Sequence, residues 1–250
     1  MALDWYRTPE WSEQDELRLK RRLAAQRGYS GRAFALRVKA SILEKTGDPR
    51  KREIAERLLR LVVEDQELEL ARTSHAIACE VSSAFDALGR MADRAGDPIR
   101  AEEYFRQAQS FSLTPGTGLT LAFHLARSDD RAKLEEADRL LDEVEATKTP
   151  PQLLFATARI RYAVARARIC ATRGAHGRAA EFAKVALGVA EAGGIDSFKR
   201  KPMDNASLEP EIASEMLALV ESANQTVQRT GASRSAREKT PTSPAAGSRR

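Results

Sequence analysis

Apolar residues recur along this chain at three- and four-residue steps, the spacing that draws one stripe along an α-helix. Phe85, Leu88, Gly89 and Ala92 share one face of a first helix, which Gly96-Asp97-Pro98 then interrupts. Glycine suits a left-handed helix C-terminus, and proline suits the first turn of the helix that follows. Ala101, Phe105 and Ala108 line a second helix at intervals of four and then three residues. The same spacing returns at Ala55, Leu59 and Val62, at Ala137, Leu141 and Val144, and at Ala179, Ala183 and Ala186. These triplets start 46, 36 and 42 residues apart. Any amphipathic helix supplies one such triplet; four in order, two of them just behind Gly-Asp-Pro, predict stacked helical hairpins. The pattern places hairpins at 31–64, 67–110, 117–147 and 152–192.

The flanks read differently. Residues 12–27 predict a helix capped by Ser12, with acidic residues in its first turn where they complement the helix dipole. Gly28 and Gly31 bracket an expected turn, and a helix follows over 32–45 with Phe34, Val38 and Leu43 among its apolar residues. Trp5, Tyr6 and Trp11 need cover, so the segment 1–30 reads as a cap docked on the first hairpin; an exposed aromatic binding patch is the other reading. Gly174 to Gly177 makes the turn of the last hairpin, and Gly193-Gly194 ends it. A polar crossing then leads to a single helix over 209–228, carrying Ile212, Met216, Leu219, Val220 and Val227. Such a lone helix covers the apolar face that a final hairpin cannot bury by itself. Residues 229–250, rich in Ser, Thr, Pro and Arg and poor in apolar side chains, predict a disordered basic tail.

The stretch SSAFDALGRMADRAGDPIRAEEYFRQAQSFSL, residues 82–113, resembles a tetratricopeptide (TPR) repeat: a large residue, Leu-Gly, a small residue, a Gly-Asp turn, then Ala, aromatic and Ala. The match covers about one repeat. Leu113 stands where the closing proline is usual, with Pro115 two residues later, and the intervals between triplets exceed the roughly 34 residues of an ideal repeat. The opening DWYR and EW, followed by a basic helix and RAFALRVKASIL, is similar over the first 45 residues to a group of bacterial TPR-like proteins without an assigned activity. The resemblance implies an all-α fold, a right-handed α-solenoid of about four TPR-like hairpins over 31–192, with capping segments at 1–30 and 193–228. It also implies that the first helix of each hairpin faces a concave groove.

Composition narrows the setting. The 250 residues are 42% hydrophobic, 31% charged and only 6% aromatic, and no apolar run reaches the length of a membrane span. The opening MALDWYRTPEW lacks the basic-then-apolar order of a signal peptide. Cys79 and Cys170, the only cysteines, lie within apolar helical patterns and read as buried thiols, which predicts a reducing, cytoplasmic setting. The net charge of +5 hides an alternation: residues 1–60 hold 15 basic and 9 acidic side chains, 61–150 hold 10 and 18, and 151–200 hold 9 and 3. An acidic block in mid-chain argues against a uniformly basic nucleic-acid binder.

Chemistry is sparse. The sequence carries no phosphate-binding glycine loop after a strand, no HExxH, no GxSxG and no paired CxxC, so no catalytic residue, metal ligand or cofactor is expected. His75 and Cys79 stand four apart on one helix, but no second pair completes four metal ligands, and a packed His beside a buried Cys is the better reading. His124 reads as a core or groove histidine, His176 as a solvated turn residue, and the acidic run Glu135, Glu136, Asp138, Asp142, Glu143 and Glu145 as a solvated face. The one pointed polar feature is the helix over 152–173, with five arginines and no acid. Arg159, Arg166 and Arg173 line one flank with Tyr162 beside them, and Arg161 and Arg168 line the other. Arginine forks grip carboxylates and phosphates, so Arg159, Tyr162, Arg166 and Arg173 are the candidate groove residues. The competing reading is that they neutralise the acidic helix 133–145. The expected function is a non-enzymatic adaptor holding a peptide or partner protein, acidic in character. The alternatives are a regulatory or defence-associated subunit touching nucleic acid through basic patches, and a self-associating scaffold.

Overall fold

The computed structural model describes residues 8–25, 29–64, 74–112, 118–146, 155–192 and 208–238, with side chains described over 8–21, 31–64, 74–112, 118–146, 155–192 and 208–226. Among the described residues the fold is all-α, with ten helices and no strand. They are α1 (Glu13–Ala25), α2 (Tyr29–Lys45), α3 (Pro49–Val62), α4 (His75–Arg94), α5 (Pro98–Ser110), α6 (Gly118–Leu125), α7 (Arg131–Ala146), α8 (Ala156–Thr172), α9 (His176–Glu191) and α10 (Pro210–Glu238). No described helix is long and apolar enough to cross a membrane. The chain divides into two compact units, residues 1–148 and 149–250.

The first unit holds α1 to α7. Its helix boundaries follow local chemistry. Gly47 and Gly96 adopt φ of 74° and 79°, the left-handed geometry that ends a helix. After α4 the Asp97 N–H donates to the Ala92 carbonyl and the Gly96 N–H to Asp93, both 3.0 Å, which satisfies two of the carbonyls a helix end leaves over. Asp48 and Asp97 then accept from the backbone N–H of Arg50 (2.9 Å) and Arg100 (3.1 Å), with Pro49 and Pro98 just inside the new helix. Asp130 does the same for α7, accepting from the Ala132 N–H at 2.8 Å. Ser12 caps α1 reciprocally: its Oγ accepts from the Asp15 N–H at 3.3 Å, and its own N–H donates to the Asp15 carboxylate at 2.9 Å.

Packing runs from neighbour to neighbour. α2 packs on α3 and α4, α3 on α4, α4 on α5, α5 on α6, and α6 on α7. The triplets read from the sequence are the positions that close these contacts: Ala55, Leu59, Val62, Ala101, Phe105, Ala108, Ala137, Leu141 and Val144 are all buried. Gly89 explains its own presence, because a Cβ there would meet the Phe105 ring at 2.5 Å. Burying each large aliphatic side chain stabilises by about 1.5–3 kcal/mol, so this core, not the surface charges, holds the unit together. Trp11 is half-buried against the core, whereas Trp5 and Tyr6 lie outside the described residues. Lys39, fully buried, fastens that segment: its Nζ donates to the carbonyls of Thr8 (2.9 Å) and Glu10 (2.7 Å) and stands 5.6 Å over the Trp11 ring.

Two expectations in this unit are corrected. The turn expected between Gly28 and Gly31 is not there at its C-terminal side, because α2 already begins at Tyr29 and Gly31 lies inside it. A glycine in a helix costs only about 1 kcal/mol, which burial of Ala33, Leu36, Ala40 and Leu43 outweighs. Cys79 is exposed, not buried. The buried stripe of α4 runs through Ala78, Val81, Ser82, Phe85 and Leu88, and the next residue after Ala78 is turned ~100° away from it.

The second unit holds α8, α9 and α10. α8 packs on α9, and α10 lies against both. Gly174, at φ 73°, closes α8, and Ala179, Ala183 and Ala186 are buried as the repeated triplet predicts. Small alanines there let two helix axes approach closely. Met216 is the buried anchor of α10, and the Arg168 guanidinium forks onto Glu215 at 2.8 and 2.7 Å, tying α8 to α10. His176 is exposed but is the first residue of α9, not part of the turn. α10 continues to Glu238, past the end expected at 228, so the first residues of the segment expected to be disordered are helical. Ala, Gln, Arg and Glu within 228–238 are good helix formers that let a helix already begun propagate. Residues 239–250, the crossing 193–207 and the loop with Leu113 and Pro115 lie outside the described residues.

Candidate functional site

In the first unit the outward faces of α2 and α4 form one continuous polar and aromatic row. Phe34 is 41% exposed, and the Arg37 guanidinium stands 5.6 Å from its ring centroid. The Arg37 Nε donates to Glu80 Oε2 at 2.6 Å, which joins α2 to α4. Along α4 the row runs through His75, Cys79 and Ser83, all exposed and four residues apart, and on to Asp86 and Arg90, which pair with each other. The His75 Nε2 lies 3.8 Å from Cys79 Sγ. Phe123, half-buried, is an aromatic on α6. Opposing charges, a thiol and the exposed Phe34 ring give this face groups for hydrogen bonds and a ring contact. Among the described residues no group of three or more His, Cys, Asp or Glu side chains is placed to hold a metal ion.

At the turn end of α4 and α5 a cleft of about 320 Å³ opens between Pro98, Ile99, Glu102, His124, Arg127 and Lys133. Residues of its lining take part in two ion pairs. Arg127 Nη1 donates to both carboxylate oxygens of Asp93, at 2.9 and 2.7 Å, and Lys133 donates to Glu102 at 2.7 Å. Burial opposes ionisation of Glu102, but hydrogen bonds from Lys133 and Arg106 hold its carboxyl below the usual range. The His124 ring, only 8% exposed, packs 5.3 Å from the Phe105 ring. Its Nδ1 stands 3.5 Å from Asp93 without forming a hydrogen bond to the protein. Burial pushes the imidazole pKa down; Asp93, Glu102 and the Pro98 carbonyl pull the other way, and Arg127 adds to the depression. The histidine expected to be core or groove is thus a buried, neutral-favouring member of the contact between α5 and α6.

The ion pairs of this unit follow a rule that the sequence reading missed. Arg94 pairs with Glu44, and Arg127 pairs with Asp93. Both acids stand four residues before the capping aspartates Asp48 and Asp97, and both arginines stand three residues before Asp97 and Asp130. The arginine at the end of α4 thus reaches the acid at the end of α2, and the arginine just after α6 reaches the acid near the end of α4. Arg106 reaches from α5 to Glu136 on α7 through its two terminal guanidinium nitrogens, at 2.7 and 2.8 Å. The hydrogen bonds to Glu136 raise the Arg106 pKa further above its ordinary value. Exposed pairs of this kind contribute ~0–1 kcal/mol each, so they set register more than they stabilise.

In the second unit the four candidate groove residues have different fates. Arg159 and Arg173 are exposed at the two ends of α8, and Tyr162 is half-buried. Arg166 is buried: its Nε donates to the Tyr162 hydroxyl at 3.0 Å, and its guanidinium lies 5.5 Å from that ring's centroid. The far side of the tyrosine meets Phe182 of α9 edge-on at 6.4 Å. Only Tyr162 and Arg166 are brought together; Arg159 and Arg173, 14 residues apart, are separated by roughly 21 Å along the helix and cannot converge on one small anion. Arg168, on the opposite flank, grips the Glu215 carboxylate. Compared with family models, with curated proteins and with solved structures, the chain matches none.

Proposed function

We propose that this chain is a non-enzymatic protein-interaction adaptor, a right-handed α-solenoid of about four TPR-like hairpins that holds a peptide or partner protein on the outward faces of its first helices. One observation carries the reading. All twelve positions of the four second-helix triplets are buried, while α2 and α4 turn a row of aromatic, charged and hydroxyl side chains outward. Both helices of each pair feed the core, and the outward row is the part of α2 and α4 that the core leaves over. A hydrogen-bonding row with an aromatic at one end suits an extended or helical segment better than a small metabolite. Cys79 and Cys170, neither of them joined in a disulfide, suit a reducing cytoplasm. The nucleic-acid alternative gains less, because Arg166 and Arg168 of the basic 151–200 block are engaged with Tyr162 and Glu215.

A photo-crosslinking residue placed at Ser83 tests this in the source cell, with the same residue at exposed Glu103 on a second helix as control. The expected result is one dominant protein adduct at position 83 and none at 103. Equal labelling at both positions, or adducts to nucleic acid alone, overturns it.

A further inference from the structure

His75 and Cys79 of α4 present one donor atom each on the same face of a helix, one turn apart. Neither side chain is buried, and the His75 Nε2 lies 3.8 Å from the Cys79 Sγ. Glu80, the nearest carboxylate along the chain, is held away by Arg37 at 2.6 Å. A tetrahedral ion bound at about 2.3 Å by sulfur and about 2.05 Å by nitrogen needs those two donors about 3.6 Å apart. The observed spacing is within a few tenths of an ångström of that bite, so side-chain rotation alone seats an ion and the helix need not move.

We infer that His75 Nε2 and Cys79 Sγ form a two-donor clamp for a thiophilic divalent cation of the zinc class. Thiolate with imidazole selects zinc-like ions over calcium or magnesium, which take oxygen donors. Two protein donors leave two tetrahedral positions to water, so the site is an open one and not a structural knot. Binding forms an S–metal bond and a N–metal bond; the thiol proton leaves to solvent, so affinity falls as pH is lowered. The inference does not depend on what the α2 and α4 row binds.

Cadmium serves as the probe, titrated into the reduced full-length chain and followed by the ultraviolet thiolate-to-metal charge-transfer band. The band is expected to saturate at one cadmium per chain, to persist in Cys170→Ser, to vanish in Cys79→Ser, and to be displaced by zinc but not by magnesium. In His75→Ala the midpoint is expected to rise about tenfold or more, since the second donor acts at high effective concentration once the first is bound. Both side chains are exposed, so the variants keep the fold, which helical circular dichroism checks. The clamp is overturned if His75→Ala titrates like the parent, if Cys170→Ser loses the band, or if saturation comes at half an equivalent, which assigns the band to thiols shared between two copies.

Discussion

Gly89→Ala tests the packing of α4 on α5 with a single methyl group. The added carbon would stand 2.5 Å from Phe105 Cε1, 2.6 Å from Cδ1 and 3.0 Å from Cζ, well inside van der Waals contact. Phe105 is 4% exposed and has the His124 ring 5.3 Å away, so the phenyl cannot simply swing aside. Overpacking of this kind costs about 1–3 kcal/mol, against which alanine gains about 1 kcal/mol over glycine within a helix. The balance predicts net destabilisation of about 0–2 kcal/mol, a fall in melting temperature of up to roughly 8 °C for a chain of this size. Thermal and urea unfolding of the parent and the variant measure it. Repeating the substitution in a Phe105→Leu background separates the two effects: with the ring gone, the alanine should stabilise, and the sign of its effect should reverse. A rise in melting temperature on Gly89→Ala in the parent would refute the close crossing, because propensity alone would then be at work.

Three further outcomes follow from the same geometry. Lys39→Met keeps the length of the side chain but removes its hydrogen bonds to the carbonyls of Thr8 and Glu10, so it should lower stability by about 1–3 kcal/mol and open the segment before Ser12 to protease; an unchanged digestion rate would show that the lysine does not fasten it. His124 has a folded-state pKa below its ordinary 6.5, so its neutral form favours folding; the stability it contributes is present above about pH 6.5 and is lost as pH falls toward the depressed value, and melting curves from pH 7.5 to 5.5 should show a drop that His124→Asn flattens. Arg166→Glu should lower the melting temperature, since it puts a charge without its tyrosine partner into a buried position, whereas Arg159→Glu at an exposed position should leave it unchanged; equal effects would contradict the placement of α8.

Helix identity and helix ends were legible because they depend on neighbours in sequence. Apolar spacing and the Gly-Asp-Pro breaks need nothing beyond a few consecutive residues, and all four triplets were found where tertiary packing buries them. Ser12 and Gly89 were legible for the same reason, one as a cap and one as a small residue on an apolar face. The boundary errors at Gly31 and at residue 228 arose where a weak local signal was overruled, by core packing in α2 and by helix propagation in α10.

What a side chain faces was settled only by tertiary structure. Cys79 and Ala78 are adjacent in sequence and equally apolar on a pattern reading, yet the packing of α4 buries one and exposes the other. Arg159, Arg166 and Arg173 share a helical flank, but Tyr162 and Phe182 draw only the middle one inward, and Arg168 finds Glu215, 47 residues away. The pairs Arg94 with Glu44 and Arg127 with Asp93 occupy positions that could be counted from the capping aspartates, but nothing in the chain alone says which acid each arginine reaches. Periodicity is a property of a single helix and is written in its residues. Partnership is a property of two helices, and it exists only once their axes and rotations are fixed against each other.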